Sequence, residues 1–524
     1  MKTFKHIFFL PALGAAFLGV VGCSNLDDKV LDRPSAADLK GISSVIDPVS
    51  SLQGVYSQLN PIANSQEQVY ALQEHSTDEM MGPTRGTDWS DFGIWRRLHQ
   101  HSWDGTHRDI INSWDVMNTG AFRATQTIYL ASTSTTLSEA EKTRIIAEAR
   151  FLRAFFMFQL VDLFGQVPFR EATDDPESVP VVKTRAEATQ FILDDLTAAI
   201  DKLAPGNPGV ANKEAAQFLF AKVYLNRAVY TQNPQQPAGA FNFAQTDMTK
   251  VIEYCDAITS TSKFQLEPSG EYFDNFHWDN GALSKELIFV IQNSSGSPVG
   301  NVRDRYFMTL HYNQKPSGWN GFTTLASFYN SFEANDERLG KAIPGLTDQI
   351  GLRAGFLVGQ QYDKDGAALK DRAGGNLTFS PDVDLLYSNE KQGIRVIKYL
   401  PEATNLDNPG NDYVFFRYAD VVLMKAEALL RGGIGAGTAL ELVNQLRTAR
   451  GATALPSVDL PILLAERGRE LYWEGWRRND MIRFGTFLNP NDTKPKQSPN
   501  HVVVFPVPQR ALDTNPNLKQ NFGY

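Results

Sequence analysis

Cysteine and clustered basic residues are both scarce in this chain. Its 524 residues include only two cysteines, Cys23 and Cys255, so no framework of disulfides is expected. The net charge is −9, and Lys and Arg form no dense run. Because a nucleic-acid surface needs clustered positive charge to displace counterions, the composition argues against a nucleic-acid partner. The hydrophobic and charged contents, 42% and 21%, are ordinary for a globular protein.

Motifs that would carry catalysis, a cofactor or a metal are also missing. The sequence has no nucleophile elbow and no zinc-protease motif. The glycine-rich stretch "GGIGAGTAL" (432–440) lies between two predicted helices with no preceding strand, which indicates a turn rather than a phosphate-binding loop. His99 and His101 have no carboxylate or cysteine cluster beside them, and "DKDG" (363–366) lacks the closing glutamate of a calcium loop. We therefore expect neither enzyme activity nor a cofactor nor a bound metal.

The only long apolar run stands at the amino terminus. Lys2 and Lys5 precede "IFFLPALGAAFLGVVG" (7–22), and Cys23 follows at once. The run is shorter than the ~20 residues that span a bilayer, so it predicts an export signal. Small residues before Cys23 favour a lipoprotein, cleaved after Gly22 and acylated on Cys23, over an ordinary signal peptide with an incidental cysteine. Residues 1–22 are then the signal, and 23–34 are a lipidated tether. The acidic residues of "SNLDDKVLDRP" resemble the export tag of surface lipoproteins in some Gram-negative bacteria, so we expect the tether at the surface of a Gram-negative outer membrane.

Helical periodicity dominates two parts of the chain. Thr184 and Glu187 have capping-box spacing, Asn212 is a predicted N-cap, and Cys255 falls in an apolar helical phase that predicts a buried thiol. The predicted helical segments are 141–165, 184–203, 212–230, 248–258, 418–433, 438–451 and 461–485. They resemble tetratricopeptide-type helix pairs without a strict repeat. The predicted fold class is all-α, a tetratricopeptide-like helix-pair scaffold with an irregular loop-rich insert.

The insert is predicted over residues 264–411. This stretch is rich in Gly, Asn, Asp, Pro and aromatic residues, and it has only short strand-like runs such as "ELIFVIQ" and "GIRVIKYL". A long irregular stretch inside a folded chain is typical of functional loops. We expect a single domain over 35–524, with the scaffold in 35–263 and 412–524 and a ligand-binding insert between them.

Several motifs together resemble the SusD/RagB family of outer-membrane nutrient-binding lipoproteins. They are the lipobox at Cys23 and the segments 78–98, 148–169, 417–433, 466–485 and 504–524, of which "ERGRELYWEGWRRNDMIRFG" and "VFPVPQRALDTNPNLKQNFGY" are the most specific. The resemblance implies capture of an oligosaccharide or polysaccharide at the cell surface without catalysis. It also implies a partner, a SusC-like TonB-dependent outer-membrane transporter that the protein covers as a lid.

Three tryptophans lie in polar segments where aromatic side chains could form a binding surface for sugar rings. Aromatic faces stack on the C–H face of a pyranose, while charged and amide groups bond its hydroxyls. Trp89 lies in a polar loop, and Trp278 and Trp319 lie in Asn- and Gly-rich segments of the insert. The predicted ligand-binding residues are Arg85, Asp88, Trp89, Tyr272, Trp278, Tyr312, Trp319 and Asn320. The other tryptophans, expected in the core, are Trp95, Trp103, Trp114, Trp473 and Trp476.

Two other functions stay open at this point. The same scaffold could carry a non-glycan cargo such as a peptide, although a peptide site needs fewer exposed indoles and more free strand edge. A helical glycoside hydrolase is the third alternative, and it would require two carboxyls facing one glycosidic bond across ~5–10 Å.

Overall fold

Helices packed side by side are the main regular structure of the described residues, and the sheets are small. The computed structural model describes residues 47–175, 177–232 and 241–524. The predicted signal and tether, including Cys23, lie outside the described residues. Across the described ranges, no helix combines the length and the apolar composition needed to cross a membrane.

Eighteen α-helices are present in the described ranges. They are α1 (Pro48–Tyr56), α2 (Asn60–Ala63), α3 (Gln68–Glu74), α4 (Ile94–His99), α5 (Arg108–Thr133), α6 (Glu139–Phe164), α7 (Arg185–Ala199), α8 (Lys213–Thr231), α9 (Gln245–Thr259), α10 (Asn280–Leu283), α11 (Asp304–Phe307), α12 (Ala326–Tyr329), α13 (Thr347–Ile350), α14 (Tyr418–Leu430), α15 (Ala439–Ala449), α16 (Leu460–Leu471), α17 (Arg477–Phe484) and α18 (Gln509–Thr514). Neighbours in the chain pack on each other, as α5 on α6, α6 on α7, α8 on α9 and α14 on α15. The all-α helix-pair fold is confirmed.

The strands form four separate antiparallel pairs. They are β1 (Val167–Phe169) with β2 (Val181–Lys183), β3 (Leu287–Ile291) with β8 (Tyr413–Arg417), β4 (Gly355–Leu357) with β7 (Arg395–Ile397), and β5 (Gly359–Gln360) with β6 (Thr378–Phe379). Residues 264–411, described throughout, contain no α-helix longer than four residues and no strand longer than five. This part of the chain is therefore built mostly of loops packed against the scaffold.

The helix starts follow the capping signals in the sequence. The Thr184 hydroxyl accepts from the backbone N–H of Glu187, whose carboxylate accepts from the Thr184 N–H at 2.8 Å, so the predicted capping box is present. The Asn212 side chain accepts from the N–H of Ala215, as an N-cap does. The predicted buried thiol is also confirmed, because Cys255 has no exposed surface and burial raises the pKa of its thiol.

The late helical segment is interrupted where the periodicity predicted one helix. α16 ends at Leu471, and α17 begins at Arg477. Between them Trp473 has a φ of +57° and Gly475 a φ of +82°, which no α-helix allows. The Trp473 indole donates to the backbone oxygen of Glu79 at 3.0 Å. This break changes the direction of the Trp473 side chain, and the indole lies in the core, as predicted.

A buried ion cluster connects the last helices to the insert. Arg338, Arg417 and Arg450 all donate to the Glu470 carboxylate, and all four side chains are fully buried. Burial opposes ionisation of Glu470, but the three guanidinium groups overcome it and hold the pKa of this carboxyl well below its usual value. Arg450 also donates to Glu286, beside β3, at 2.6 Å. Removing one member would leave an uncompensated buried charge.

Bonds between distant parts of the chain hold the amino-terminal segment in place. The Gly475 N–H donates to the Glu74 carboxylate at 2.5 Å, and the Trp103 indole donates to the Tyr524 hydroxyl at 2.7 Å. Residues 74–103, which contain Trp89, Trp95 and Trp103, are therefore held by bonds to the final part of the chain.

Candidate functional site

The loop that carries Trp89 has an unusual backbone. Arg85 and Asp88 exchange backbone hydrogen bonds of 2.9 and 3.0 Å, which close a tight turn around Gly86, whose φ is +63°. Trp89, Asp91 and Phe92 also have positive φ values, of +61°, +36° and +52°. Such conformations cost bulky residues free energy and persist only where the surroundings enforce them. The sequence did not predict these positive φ values at Trp89, Asp91 and Phe92, since only Gly86 is a residue typical of a turn there.

A buried arginine enforces the position of this loop. The Arg85 guanidinium donates to the backbone oxygens of Gly321, Asn389 and Gln392 at 3.1, 2.6 and 2.7 Å. The side chain is only 4% exposed, and burial lowers the pKa of Arg85 to about 9. The expectation that Arg85 contacts ligand is thereby corrected: its guanidinium connects three loops behind the surface and positions their side chains.

Trp89 and Trp319 meet at the centre of the site. The Trp89 Nε1 donates to the backbone oxygen of Trp319 at 2.8 Å. The Trp89 ring packs edge-on against Phe322, with centroids 5.0 Å apart. A Cβ atom at position 321 would lie 2.4 Å from the Trp89 ring, so only Gly321 lets the chain pass this close to the indole. Both indoles remain half-buried, with part of their surface open to solvent.

Polar groups border the two indoles. The Tyr312 hydroxyl donates to the Asp88 carboxylate at 2.8 Å, and burial together with this bond raises the pKa of Tyr312 to about 12. The Arg372 guanidinium lies over the Tyr312 ring at 4.5 Å and donates to Glu390 at 2.6 Å. Arg372 was not predicted as a site residue, because nothing in its local sequence announces that it reaches Tyr312.

The cleft formed in this way has a volume of about 450 Å³. Its lining residues are Gln66, Glu67, Asp88, Trp89, Asp91, Trp95, Arg108, Tyr312 and Trp319. Four of the eight predicted ligand-binding residues, drawn from two distant segments, thus share one surface. The cleft also includes a Glu67–Arg108 ion pair of 2.9 Å that the sequence did not single out.

The remaining predicted residues lie elsewhere. Tyr272 is fully buried and donates to the backbone oxygen of Glu470 at 3.0 Å, so its assignment to the site was wrong. Asn320 is also fully buried, where its side-chain oxygen accepts from Arg395 at 2.8 Å; it supports the loop rather than facing a ligand. Trp278 is half-buried and packs on His277, 3.7 Å between ring centroids, and it does not line this cleft.

The tryptophans predicted for the core are buried. Their exposed fractions run from 2% to 8%, and they are Trp95, Trp103, Trp114, Trp473 and Trp476. Trp95 still contributes to the floor of the cleft, where the Asp91 carboxylate accepts from its Nε1 at 2.6 Å.

Each carboxylate around the cleft already has a partner. Asp88 accepts from Tyr312, Asp91 accepts from Trp95, and Glu67 pairs with Arg108. Within the described ranges, no group of three or more His, Cys, Asp or Glu side chains is arranged to hold a metal ion. The site therefore offers two aromatic faces with a fixed polar border, an arrangement suited to binding a ring-shaped polar ligand.

Comparison with known protein families identifies the chain. Residues 285–524 match the model described as "SusD family", and residues 31–225 match one described as "Starch-binding associating with outer membrane". The chain belongs to the SusD family. Starch-binding protein SusD of Bacteroides thetaiotaomicron is 24% identical, over 100% of this chain and 99% of its own length.

Solved structures of SusD-superfamily proteins share the fold. A SusD superfamily protein from Parabacteroides distasonis aligns with a TM-score of 0.71 at 18% identity, over 91% of this chain and 100% of its own. Surface glycan-binding protein A from Bacteroides thetaiotaomicron, solved in complex with laminarihexaose, aligns with a TM-score of 0.66 at 19% identity, over 90% of this chain and 98% of its own. These SusD relatives are named as binding proteins, not as enzymes.

Proposed function

We propose that this SusD-family protein binds a glycan in the cleft between Trp89 and Trp319, without cleaving it. The observation that carries the proposal is the convergence of two half-buried indoles with Tyr312 and Asp88 on one open surface. An indole face gains dispersion and C–H contact with a pyranose ring. The relatives named for starch, laminarin and glycan binding support the same class of ligand.

The polar border supplies the directional contacts. Hydroxyl groups of a sugar can donate to the carboxylates of Asp88 and Glu67 and accept from the guanidinium groups of Arg372 and Arg108. Hydrogen bonds to charged groups are stronger than neutral ones, and they fix the orientation of the ring. Because the protein itself already holds these four groups, a ligand pays little to order them.

The wider setting of the proposal comes from the sequence. Acylation at Cys23 would attach the protein to the outer face of the outer membrane, and a SusC-like TonB-dependent transporter would receive the captured glycan. The family description that mentions the outer membrane supports this location. Multiple acyl chains contribute ~0.8 kcal/mol per buried methylene, which is enough for a stable attachment.

Affinity electrophoresis tests the proposal. The chain without residues 1–23 is run in native gels that contain amylopectin, laminarin, xylan, mannan or pectin. We expect retardation by at least one polysaccharide and its loss in Trp89→Ala and Trp319→Ala, with unchanged circular dichroism. Trp278→Ala is the matched control, since Trp278 is also a half-buried indole but lies outside the cleft. Absence of retardation in all five gels, or full retardation of both cleft variants, would contradict glycan binding at this site.

Two further measurements distinguish glycan binding from glycan hydrolysis and from peptide binding. Thin-layer chromatography of the retarding polysaccharide after incubation should show no shorter products, whereas a hydrolase would release them. A peptide carrier would instead show no retardation by any polysaccharide while binding peptides in calorimetry.

A further inference from the structure

Two aromatic side chains beside the cleft are almost fully exposed. Phe92 is 103% exposed and Tyr387 is 82% exposed, the two highest values among the large hydrophobic side chains that the structure describes. Single exposed aromatics are common on protein surfaces, but these two lie at the same depression. The depression has a volume of about 510 Å³, and its lining includes Phe92, Tyr387, Thr84, Ser90 and Arg96.

Phe92 and Tyr387 are exposed on loops that hydrogen bonds hold in place. The Thr84 N–H donates to the Leu385 oxygen at 3.0 Å, and the Ser388 N–H donates to the Thr84 oxygen at 3.2 Å, so the two loops are joined by their backbones. The Asp384 carboxylate accepts from the backbone N–H of Tyr387 at 2.9 Å. These bonds hold the two aromatic side chains on neighbouring, mutually fixed segments.

The backbone conformation of Phe92 costs free energy that no side-chain packing offsets. Its φ of +52° is unfavourable for a bulky residue, and its side chain makes no buried contact in return. Strain of this kind that folding does not reward is typical of binding surfaces. The next residue, Gly93, has a φ of +77° and is packed against by the Arg96 guanidinium, which keeps the turn in shape.

The depression adjoins the cleft between Trp89 and Trp319, called here the tryptophan cleft. Asp91 lines both, and it is held in place by the Trp95 indole at 2.6 Å. Only two residues separate Trp89 from Phe92, so their Cα atoms lie within about 11 Å of each other. A single extended ligand is therefore long enough to reach from one surface to the other.

We propose that Phe92 and Tyr387 form a second ring-binding subsite, which takes a later sugar of the same glycan chain that occupies the tryptophan cleft. The inference rests on the proposed glycan binding and adds a selection for chain length. Exposed aromatic faces supply the stacking surface, while Ser90, Thr84 and Arg96 supply hydroxyl and guanidinium partners for the sugar hydroxyls.

Calorimetry with oligosaccharides of increasing length tests this subsite. The oligosaccharides are prepared from the polysaccharide that retards the wild-type chain most strongly. The double variant Phe92→Ala/Tyr387→Ala should bind the longest oligosaccharide about tenfold more weakly than wild type, which corresponds to about 1.4 kcal/mol. The shortest oligosaccharide that binds at all should lose less than about twofold. Trp89→Ala should weaken binding at every length.

The outcomes separate this inference from the proposed function. Wild-type affinity of the double variant at every length, with binding lost in Trp89→Ala, would overturn the second subsite and leave the tryptophan cleft standing. Retained binding in Trp89→Ala as well would overturn both. Normal glycan affinity combined with loss of transporter binding would assign Phe92 and Tyr387 to a protein interface and overturn the inference. Tyr362→Ala is the matched control, because Tyr362 is 52% exposed and lines neither surface.

Discussion

The indole nitrogen of Trp89 donates a 2.8 Å hydrogen bond to the backbone oxygen of Trp319, although 230 positions separate the two residues. This bond sets the relative position of the two indoles, and with it the width of the surface that a sugar ring would cover. The contribution of the bond can be separated from that of the ring face.

Trp89→Phe keeps an aromatic face and removes the donor. We expect the glycan affinity to fall by about three- to tenfold, because one hydrogen bond contributes about 0.5–1.5 kcal/mol. Trp89→Ala removes both and should lose more. Calorimetry with the retarding glycan measures the two variants side by side. Equal affinities for Trp89→Phe and wild type would mean that the bond does not position the site.

Gly321→Ala tests the close approach of the chain to Trp89. The added Cβ would meet the indole at 2.4 Å, so the ring must move. We expect glycan affinity to fall at least about tenfold while the helical circular dichroism stays the same. Gly54→Ala is the matched control, since no atom lies within 4 Å of its added Cβ and the position is inside α1. Alanine there should leave binding unchanged and stabilise the helix slightly.

Arg85→Met should lower both stability and affinity. It leaves the backbone oxygens of Gly321 and Asn389 without their donor, whereas that of Gln392 still accepts from Arg395 at 2.8 Å. We expect the free energy of unfolding in urea to drop by about 3 kcal/mol. Arg372→Ala is the contrasting variant, because the Arg372 side chain is 55% exposed. It should weaken glycan binding and change the unfolding free energy by less than about 1 kcal/mol. A stability loss in Arg372→Ala as large as in Arg85→Met would refute this division of roles.

Ionisation of Glu74 should contribute to the pH dependence of the protein's stability. Burial raises the pKa of this carboxyl to about 7, above its value in an unfolded chain. A group with a raised pKa adds stability that is fully present below its unfolded pKa, near 4.5, and is lost as the pH rises through about 7. We therefore expect Glu74→Gln to raise the melting temperature at pH 8 relative to pH 5, compared with wild type.

Glu466 gives the opposite sign and serves as the control. Burial opposes its ionisation, but Arg338 and Arg469 overcome this and lower the pKa of Glu466 to about 2. Its stabilising effect is present above the unfolded pKa and is lost only as the pH falls toward 2. Glu466→Gln should therefore lower the melting temperature at both pH 5 and pH 8. Identical pH profiles for Glu74→Gln and wild type would show that Glu74 does not titrate in this range.

The sequence predicted those parts of the fold that depend on local signals. The capping box at Thr184 and the N-cap at Asn212 were correct because caps act within three residues. The sequence did not predict the 26-residue helix α5 (Arg108–Thr133), since its Thr, Asn, Ser and Gly residues interrupt the helical periodicity of its apolar residues. Periodicity predicts one helix over residues 461–485 because it does not register the long-range bond between Trp473 and Glu79.

The same distinction applies to the site. Trp89 and Trp319 could be selected because indoles among Gly, Asn and Asp are unusual for a core. The role of Arg85 could not, because its partners at 321, 389 and 392 are distant in sequence. Tyr272 was selected wrongly for a related reason: the polar residues near it in the chain do not surround it in space, and it lies in the core.

The bonds from Gly475 to Glu74 and from Trp103 to Tyr524 have a consequence for biosynthesis. A polypeptide is made and exported from its amino end, so the segment before Trp89 emerges hundreds of residues ahead of the groups that hold it. Contacts between such distant positions close large loops and form late. The proposed binding surface is thus expected to form late in folding, and a chain that ends before residue 473 would lack the bonds that hold it.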